Sequence, residues 1–208
     1  FFKGNSPQGR SYLKAMNGAA NYAFANRQIM CQLIRKAVKK SLGPQAAAGI
    51  ETVYDVCHNI AKEEIYEGKK YFVHRKGATR AYDGERMRGT PFGELGQPVL
   101  IPGSMGTSSY VLLGHPGSKK SLYSVNHGAG RRLSRSKAAG KKGRPGMISD
   151  KAFKDSMQGI HLITKDQRRI KEEAPGAYKD IDEVIDFWVG AGLALPVARM
   201  RPLAVLKG

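Results

Sequence analysis

Acidic residues are missing from a long internal part of this sequence. No Asp or Glu occurs in the 55 residues between Glu94 and Asp150. Across all 208 residues, 35 Lys and Arg outnumber 17 Asp and Glu, which gives a net charge of +18 and a pI near 10.0. This charge exceeds what a small domain needs for solubility. It favours a polyanionic partner, with nucleic acid first and an anionic membrane surface second.

The acid-free stretch concentrates positive charge. It contains nine basic residues among interspersed Gly and Ser: Lys119, Lys120, Arg131, Arg132, Arg135, Lys137, Lys141, Lys142 and Arg144. Isolated basic residues usually form a solvated face, but a run of this length without counter-charge predicts an anion-binding surface.

Other absences narrow the class of protein. Two cysteines, Cys31 and Cys57, cannot form a dense disulfide framework, so we expect a reducing compartment. No apolar run approaches the ~20 residues of a membrane helix, and no signal-peptide pattern is present. We therefore expect a cytoplasmic protein with no membrane partner. Because the chain starts at Phe1 rather than Met, we expect a piece of a longer protein or a processed product.

Short predicted strands and helices alternate without an internal repeat, which indicates an α+β fold over residues 1–208. Ser6 and Pro7 predict the start of a first helix, and Gly43 with Pro44 predict its end. Further helices are predicted over residues 131–142, 150–158 and 180–189. Strands are predicted over residues 52–56, 71–73, 97–101, 110–113 and 197–206, the last with an edge or bend at Pro202.

Four segments are rich in residues that active sites use, and the first is residues 55–59. Asp55, Cys57 and His58 lie at the end of a predicted strand and can supply at most two or three metal ligands. The alternative is a strand end with a buried, hydrogen-bonded histidine, which the local sequence alone favours.

The second segment, residues 74–80, places Arg75, Lys76 and Arg80 beside Thr79. Arginine forks, a lysine charge and a threonine hydroxyl suit phosphate oxygens. An exposed basic turn is the alternative.

The third segment, residues 102–109, consists mainly of small residues between two apolar runs. Small residues let the backbone approach a ligand closely, and several N–H and hydroxyl donors converge. It is not a Walker A loop, because no Gly-Lys-Ser/Thr follows at the right spacing. A nucleotide site and a plain hairpin turn both fit this pattern.

The fourth segment begins at His127, continues through Gly128, Ala129 and Gly130, and ends in a basic stretch. A helix starting near Gly130 would present its N-terminus to a phosphate. A histidine beside a phosphate cradle can attack phosphorus and form a phosphoramidate. The alternative is a structural histidine at a helix start. Together, the four segments suggest phosphoryl or nucleotidyl transfer on nucleic acid.

These segments, in this order, resemble the RtcB family of RNA ligases over nearly the whole chain. The matching stretches are residues 6–9, 20–23, 26–27, 54–62, 74–80, 96–107, 127–131, 172–175 and 201–208. No single short motif decides the resemblance, whereas the ordered set is specific.

The resemblance implies a reaction and an architecture. Members of this family join RNA 2′,3′-cyclic phosphate or 3′-phosphate ends to 5′-hydroxyl ends, in tRNA splicing and RNA repair, using GTP and Mn²⁺. A histidine is guanylylated, GMP passes to the RNA 3′-phosphate, and the 5′-hydroxyl displaces GMP. The implied fold is an α+β arrangement around a deep cleft that holds the nucleotide and metal.

The resemblance also implies roles for individual residues. The catalytic, guanylylated histidine corresponds to His127, and a metal-binding histidine corresponds to His58. The implied nucleotide contacts are His58, Asn59, Pro102, Gly103, Ser104, Met105, Ser109, His127, Gly128, Ala129, Gly130 and Lys207. The implied RNA phosphate contacts are Arg75, Lys76, Arg80, Arg131 and Arg135. Tyr178 is expected near the guanine.

One departure from the family pattern bears on function. The family's other metal ligands, an Asp, a Cys and two His, lie N-terminal to the matched region, so this chain resembles the C-terminal part of the family, truncated at the N-terminus. Three explanations stay open: a fragment of a complete ligase, one half of a split enzyme with an N-terminal partner, or a non-catalytic RNA-binding or scaffold protein. GTP and RNA, either tRNA halves or broken RNA, are the expected partners.

Overall fold

The longest element is helix α1, Pro7–Leu42, in a computed structural model that describes residues 1–166 and 169–207. The Ser6 hydroxyl accepts a hydrogen bond from the Gly9 N–H (3.0 Å), and Pro7 supplies the fixed φ of the first helical position. Gly43, with φ of +92°, ends the helix before the short helix α2, Pro44–Ala48. The predicted helix is confirmed at both ends.

Two antiparallel strands complete a first compact unit, Phe1–Lys76. Strand β1 is Asn59–Tyr66 and strand β2 is Lys69–Lys76. Glu67 and Gly68 between them both have positive φ, 51° and 74°, which suits a two-residue hairpin turn whose twist matches the strands.

The prediction of a strand over residues 52–56 is wrong, because those residues lie outside any helix or strand. Strand β1 starts later and was missed because Lys62, Glu63 and Glu64 interrupt its apolar alternation. Glu64 is nevertheless buried, since Arg75 on β2 neutralises it.

A second compact unit spans Gly77–Gly208. Its strands are β3 Ala78–Arg80, β4 Pro98–Ile101, β5 Ser109–Gly114, β6 Ser124–Asn126, β7 Gly140–Lys141, β8 Arg144–Pro145, β9 His161–Thr164, β10 Ala194–Met200 and β11 Ala204–Lys207. Its helices are α3 Arg135–Ala139, α4 Asp150–Ser156 and α5 Ile181–Gly190, with 3₁₀ turns at Pro116–Ser121, Ile170–Glu173 and Pro175–Ala177. The α+β fold class is confirmed.

The sheets of this unit are small and mostly antiparallel. Strand β5 lies between β10 and β4, β3 pairs with β6, and β7 pairs with β8. Strand β11 pairs with β9 in parallel. The hairpin alternative for residues 102–109 is therefore correct as a description of the fold, since these residues connect β4 to β5.

The main core lies between this sheet and α5. Val99, Ile101 and Leu112 have no exposed surface, and Ile181 and Ile185 of α5 join the same cluster. The Asp180 side chain caps α5 by accepting a hydrogen bond from the Asp182 N–H (2.8 Å). This helix start leads directly into the candidate site.

Two predicted elements differ from the structure. The helix predicted over residues 131–142 is helical only at Arg135–Ala139, because Ser134 caps it and Gly140, with φ of +87°, ends it. The strand predicted over residues 197–206 is two strands, β10 and β11, separated at Pro202 as the expected bend required.

The core predicts a large stability difference between two leucines. Leu112→Ala, at a fully buried position of β5, should lower the free energy of unfolding by about 2–5 kcal/mol, through lost apolar contacts and a cavity. Leu100→Ala, 47% exposed on β4, removes the same atoms and should cost at most about 1 kcal/mol. Urea denaturation of both variants measures this, and equal losses would contradict the assigned core.

Candidate functional site

The loop after β6, residues 127–130, connects three segments that are distant in the sequence. The His127 N–H donates to the Gly77 carbonyl (3.3 Å), and the Ala129 N–H donates to the Pro102 carbonyl (3.2 Å). The Gly130 carbonyl accepts from the Lys179 N–H (2.9 Å). The structure therefore joins the predicted histidine segment to the predicted small-residue turn.

The imidazole of His127 is half-buried and lies against Gly77. Gly77 has φ of +74°, and a Cβ built on it would lie 3.4 Å from His127 Cε1 and 3.6 Å from Nδ1. A glycine here permits both the left-handed backbone and the close approach of the ring.

An open cavity of about 760 Å³ lies in front of this loop. Its walls combine the loop with the first turns of α5 and the residues before it: Gly77, Asn126, His127, Gly128, Ala129, Gly130, Arg132, Lys179, Asp180, Glu183, Val184, Phe187 and Trp188. The cavity holds cationic, anionic and aromatic side chains around one imidazole. This mixture suits a polar ligand with a flat ring.

Asn126 adds a buried acceptor to the cavity wall. Its Nδ2 donates to the Gly128 carbonyl (2.7 Å), while its Oδ1 is buried without a hydrogen-bond partner among the described residues. Because buried acceptors are nearly always paired, Asn126 Oδ1 is a candidate acceptor for a ligand or water donor.

The turn of residues 102–109 bonds largely within itself. Thr107 Oγ1 accepts from the Ser104 N–H (2.7 Å) and lies 2.9 Å from Ser104 Oγ, and the Gly103 N–H donates to Ser109 Oγ (3.3 Å). Met105 is buried, in a cluster that includes Met157. These contacts fix the shape of the turn and use the N–H groups of Gly103 and Ser104 within it.

Glu173 pairs with two arginines that follow the histidine loop, Arg131 and Arg135. Its carboxylate accepts from Arg131 (Nη1 to Oε1, 3.3 Å), from Arg135 (Nε to Oε1, 3.2 Å) and from the Tyr178 hydroxyl. Burial acts to raise the pKa of Glu173, but these hydrogen bonds and the charges of Arg131 and Lys207 outweigh it and lower the pKa. Lys207, on β11, thus acts on the same carboxylate as the two arginines.

Tyr178 and Arg131 are committed to this network. Burial raises the pKa of Tyr178, and the hydrogen bond to Glu173 adds to the shift. The Arg131 guanidinium also donates to the Tyr178 hydroxyl (3.0 Å), the Leu133 carbonyl (3.0 Å) and the Glu172 carbonyl. Most of its N–H groups are therefore used, whereas Arg135 keeps 68% of its side-chain surface exposed.

The remaining predicted phosphate contacts differ in exposure. Arg80, half-buried on β3, donates to Gln97 Oε1 (3.1 Å) and lies over the Tyr82 ring (4.3 Å). In the first unit, Lys76 is exposed, but Arg75 is only 3% exposed and binds Glu64 through two hydrogen bonds of 2.7 and 2.9 Å. We withdraw Arg75 from the phosphate contacts, because binding a phosphate would break a buried ion pair.

His58 and Asn59 also belong to the first unit. His58 is half-buried just before β1, and Asn59 is the exposed first residue of that strand. Asp55, a suggested metal ligand, instead pairs with Arg27 of α1 (2.7 Å). Its carboxylate already has a counter-charge on α1.

Comparison with known proteins identifies the family. A family model described as "tRNA-splicing ligase RtcB" matches residues 1–208. The curated protein named tRNA-splicing ligase RtcB from Aeropyrum pernix is 45% identical over 210 residues, covering 98% of this chain and 43% of that protein. The chain belongs to the RtcB family. Relatives of the same name from Pyrococcus furiosus and Thermococcus kodakarensis are each 46% identical over 98% of this RtcB chain, which covers 21% and 43% of their lengths.

This RtcB chain thus spans less than half the length of the curated relatives it matches. In the part that the structure describes, no group of three or more His, Cys, Asp or Glu is placed to hold a metal ion. The described residues alone do not fit a manganese site, since His58 is one ligand where several are needed.

No described helix is both long and apolar enough to cross a membrane.

Sequence reasoning missed most of one cavity wall in this RtcB chain. The sequence predicts Glu183, Phe187 and Trp188 only as part of a helix, and Lys179 immediately precedes it. The one available signal was Phe187, an aromatic residue that is 65% exposed on α5. Its exposure becomes visible only once the helix is oriented by Ile181 and Ile185.

The network at Glu173 predicts a pH-dependent stability in this RtcB chain. A carboxylate whose pKa is lowered by folding stabilises the fold above its unfolded pKa near 4.5, and this contribution is lost as pH falls through the lower folded value. Glu173→Gln should therefore lower the free energy of unfolding by about 1–3 kcal/mol at neutral pH. The difference from the parent chain should shrink below pH 4.5.

Denaturation at neutral and acid pH measures this difference. Glu94→Gln, at an exposed position, is the matched control and should change stability little at any pH. A loss at Glu173→Gln that stays constant down to acid pH would show that packing, not charge, is responsible.

Proposed function

We propose that this chain carries the guanylylation site of a GTP- and Mn²⁺-dependent RNA ligase, with His127 as the nucleophile. The observation that carries the proposal is the placement of His127. Its half-buried imidazole lies at the wall of an open cavity, on a loop held by hydrogen bonds to three segments. The family match over residues 1–208, to proteins named tRNA-splicing ligase, supplies RNA as the second substrate.

The proposed reaction has three steps. A ring nitrogen of neutral His127 attacks the α-phosphorus of GTP, so that an N–P bond forms and pyrophosphate leaves. An oxygen of the RNA 3′-phosphate then attacks the same phosphorus, the N–P bond breaks, and GMP passes to the RNA. Finally, the 5′-hydroxyl of the second RNA attacks the activated 3′-phosphorus and loses its proton to water, so that a new P–O bond forms and GMP leaves.

The residues around His127 have separate proposed tasks. Gly128, Ala129 and Gly130 and the turn of residues 102–105 are assigned to the phosphates of GTP, because the hydrogen bond from Ala129 to Pro102 places these two small-residue loops side by side. The Ser109 hydroxyl accepts a hydrogen bond from the Gly103 N–H and so fixes the shape of that turn. Lys207 is assigned to the guanine, and Lys76, Arg80 and Arg135 to RNA phosphates.

The same proposal assigns His58 to the metal and Asn59 to the nucleotide. His58 contributes one ligand, so the remaining ligands are assigned to an N-terminal half or to a partner chain.

Covalent labelling tests the proposal directly. Incubation with GTP labelled at the α-phosphate and with Mn²⁺, followed by denaturation, should leave an acid-labile label on the chain, because a phosphoramidate is hydrolysed in acid. His127→Ala should leave no label above background. His161→Ala, at an exposed position on β9, is the matched control and should keep the label.

The complete relative from Aeropyrum pernix serves as positive control. A label on this chain only after the N-terminal part of that relative is added would indicate one half of a split enzyme. No label on this chain under either condition, while the relative is labelled, would refute guanylylation and favour a non-catalytic RNA-binding protein.

The contact between Gly77 and His127 gives a second prediction. Gly77→Ala should slow labelling by up to about tenfold, because the added methyl group would touch the imidazole, 3.4 Å from Cε1, and limit its movement toward the α-phosphorus. Gly68→Ala is the matched control, since Gly68 has the same φ of +74° but open space around its Cβ position. Both variants carry the same backbone penalty of about 1 kcal/mol, and only the first should lose labelling rate. Equal rates in the two variants would contradict the assigned ring position.

A further inference from the structure

The acid-free stretch ends in a feature that the proposed reaction does not use. The hairpin of β7 and β8 carries Lys141, Lys142 and Arg144 around its tip, and all three are exposed. Within residues 1–166 and 169–207, none of these three cations has an ion-pair partner. We define these residues as the basic tip.

The base of this hairpin is fixed although its tip is exposed. A Cβ at Gly140 would lie 2.5 Å from the Arg144 carbonyl oxygen, and one at Gly146 would lie 2.3 Å from the Ala138 carbonyl oxygen, so the strands pass very close to each other and to α3. The Met147 N–H donates to the Lys137 carbonyl (2.8 Å), and Ala138 is fully buried. The backbone that carries the basic tip is therefore held in place before any ligand binds.

A cavity of about 500 Å³ lies between the hairpin and α3. Its charged and hydroxyl groups are Arg135, Ser136, Lys141, Lys142, Arg169 and Glu172. Glu172 lies 3.6 Å from Arg169 Nε and 3.9 Å from Arg135 Nε, so it orients the two arginines. Glu172 and Glu173 pair with the two arginines, whereas Lys141 and Lys142 have no ion-pair partner among the described residues and face an anion with their charge.

We propose that the basic tip and this cavity bind internal phosphates of the RNA strand. The proposal takes RNA as the partner from the proposed function. Lysine and arginine contacts to backbone phosphates position a strand without reading its sequence. The cavity contains no histidine, which favours a positioning role over chemistry. It is concave, and Ala139 is its largest apolar side chain, so it has no apolar group to insert into a membrane.

Binding to an RNA without ends tests this proposal. The 208-residue chain is titrated with a fluorescein-labelled circular single-stranded RNA over a range of salt concentrations. Lys141→Gln/Lys142→Gln should weaken binding about tenfold and reduce the slope of log affinity against log salt by about 1.4, at about 0.7 for each lost contact. Lys151→Gln/Lys154→Gln on α4 removes the same charge from exposed positions and should change affinity less than about twofold.

Further variants and readouts separate the possible outcomes. Lys141→Arg/Lys142→Arg should keep both the affinity and the slope, because the charge is preserved. If both Gln variants lost RNA affinity equally, the loss would follow from net charge alone, and the proposal would be overturned. It would also be overturned if the hairpin variant lost affinity for phosphatidylserine vesicles but kept its affinity for RNA.

A guanylylation assay on the same variants separates this proposal from the proposed function. The Lys141→Gln/Lys142→Gln variant should be labelled by GTP like the parent chain, since neither lysine lines the cavity at His127. Loss of RNA affinity with intact labelling supports the phosphate site. If no variant is labelled but the hairpin variant still binds circular RNA more weakly, the reaction is refuted and the phosphate site stands.

Discussion

Backbone hydrogen bonds from one irregular loop hold the candidate site together. Residues 127–130 have no regular secondary structure, so their polar groups need partners elsewhere in the fold. They find them at Gly77, Pro102 and Lys179. Each partner segment adjoins the core, since Ala81 follows Gly77 on the same segment, Ile101 precedes Pro102, and Ile181 follows Lys179 closely. The packing of these core residues therefore fixes the position of the His127 imidazole.

Charge is organised around the few acids near the basic stretch. Glu172 and Glu173 lie outside the acid-free run but pair with arginines within it. Arg131 thereby becomes a structural cation whose guanidinium links the loop to Tyr178, whereas Arg135 keeps an exposed surface. Cations that are fully engaged by these two carboxylates stabilise the site, whereas cations that keep an exposed surface can bind a polyanion.

Local signals in the sequence predicted the elements that depend on local chemistry. Ser6 and Gly43 bound α1, and Pro202 separates β10 from β11, as expected from their backbone preferences. The sequence could not show that Arg75 is buried, because its partner Glu64 meets it only once β1 and β2 pair. For the same reason, the α5 wall of the cavity at His127 escaped prediction. The family resemblance indicated His127, but the contact with Gly77 is a property of the fold alone.

The parallel pairing of β11 with β9 has a consequence for the order of folding. The first unit is built from a helix and a two-residue hairpin, so its contacts are largely local in sequence. The second unit brings β10 to β5 and β11 to β9 across long intervening segments. Non-local pairing slows folding, because the loop-closure entropy is lost before the contacts form. We therefore expect the second unit to fold more slowly than the first.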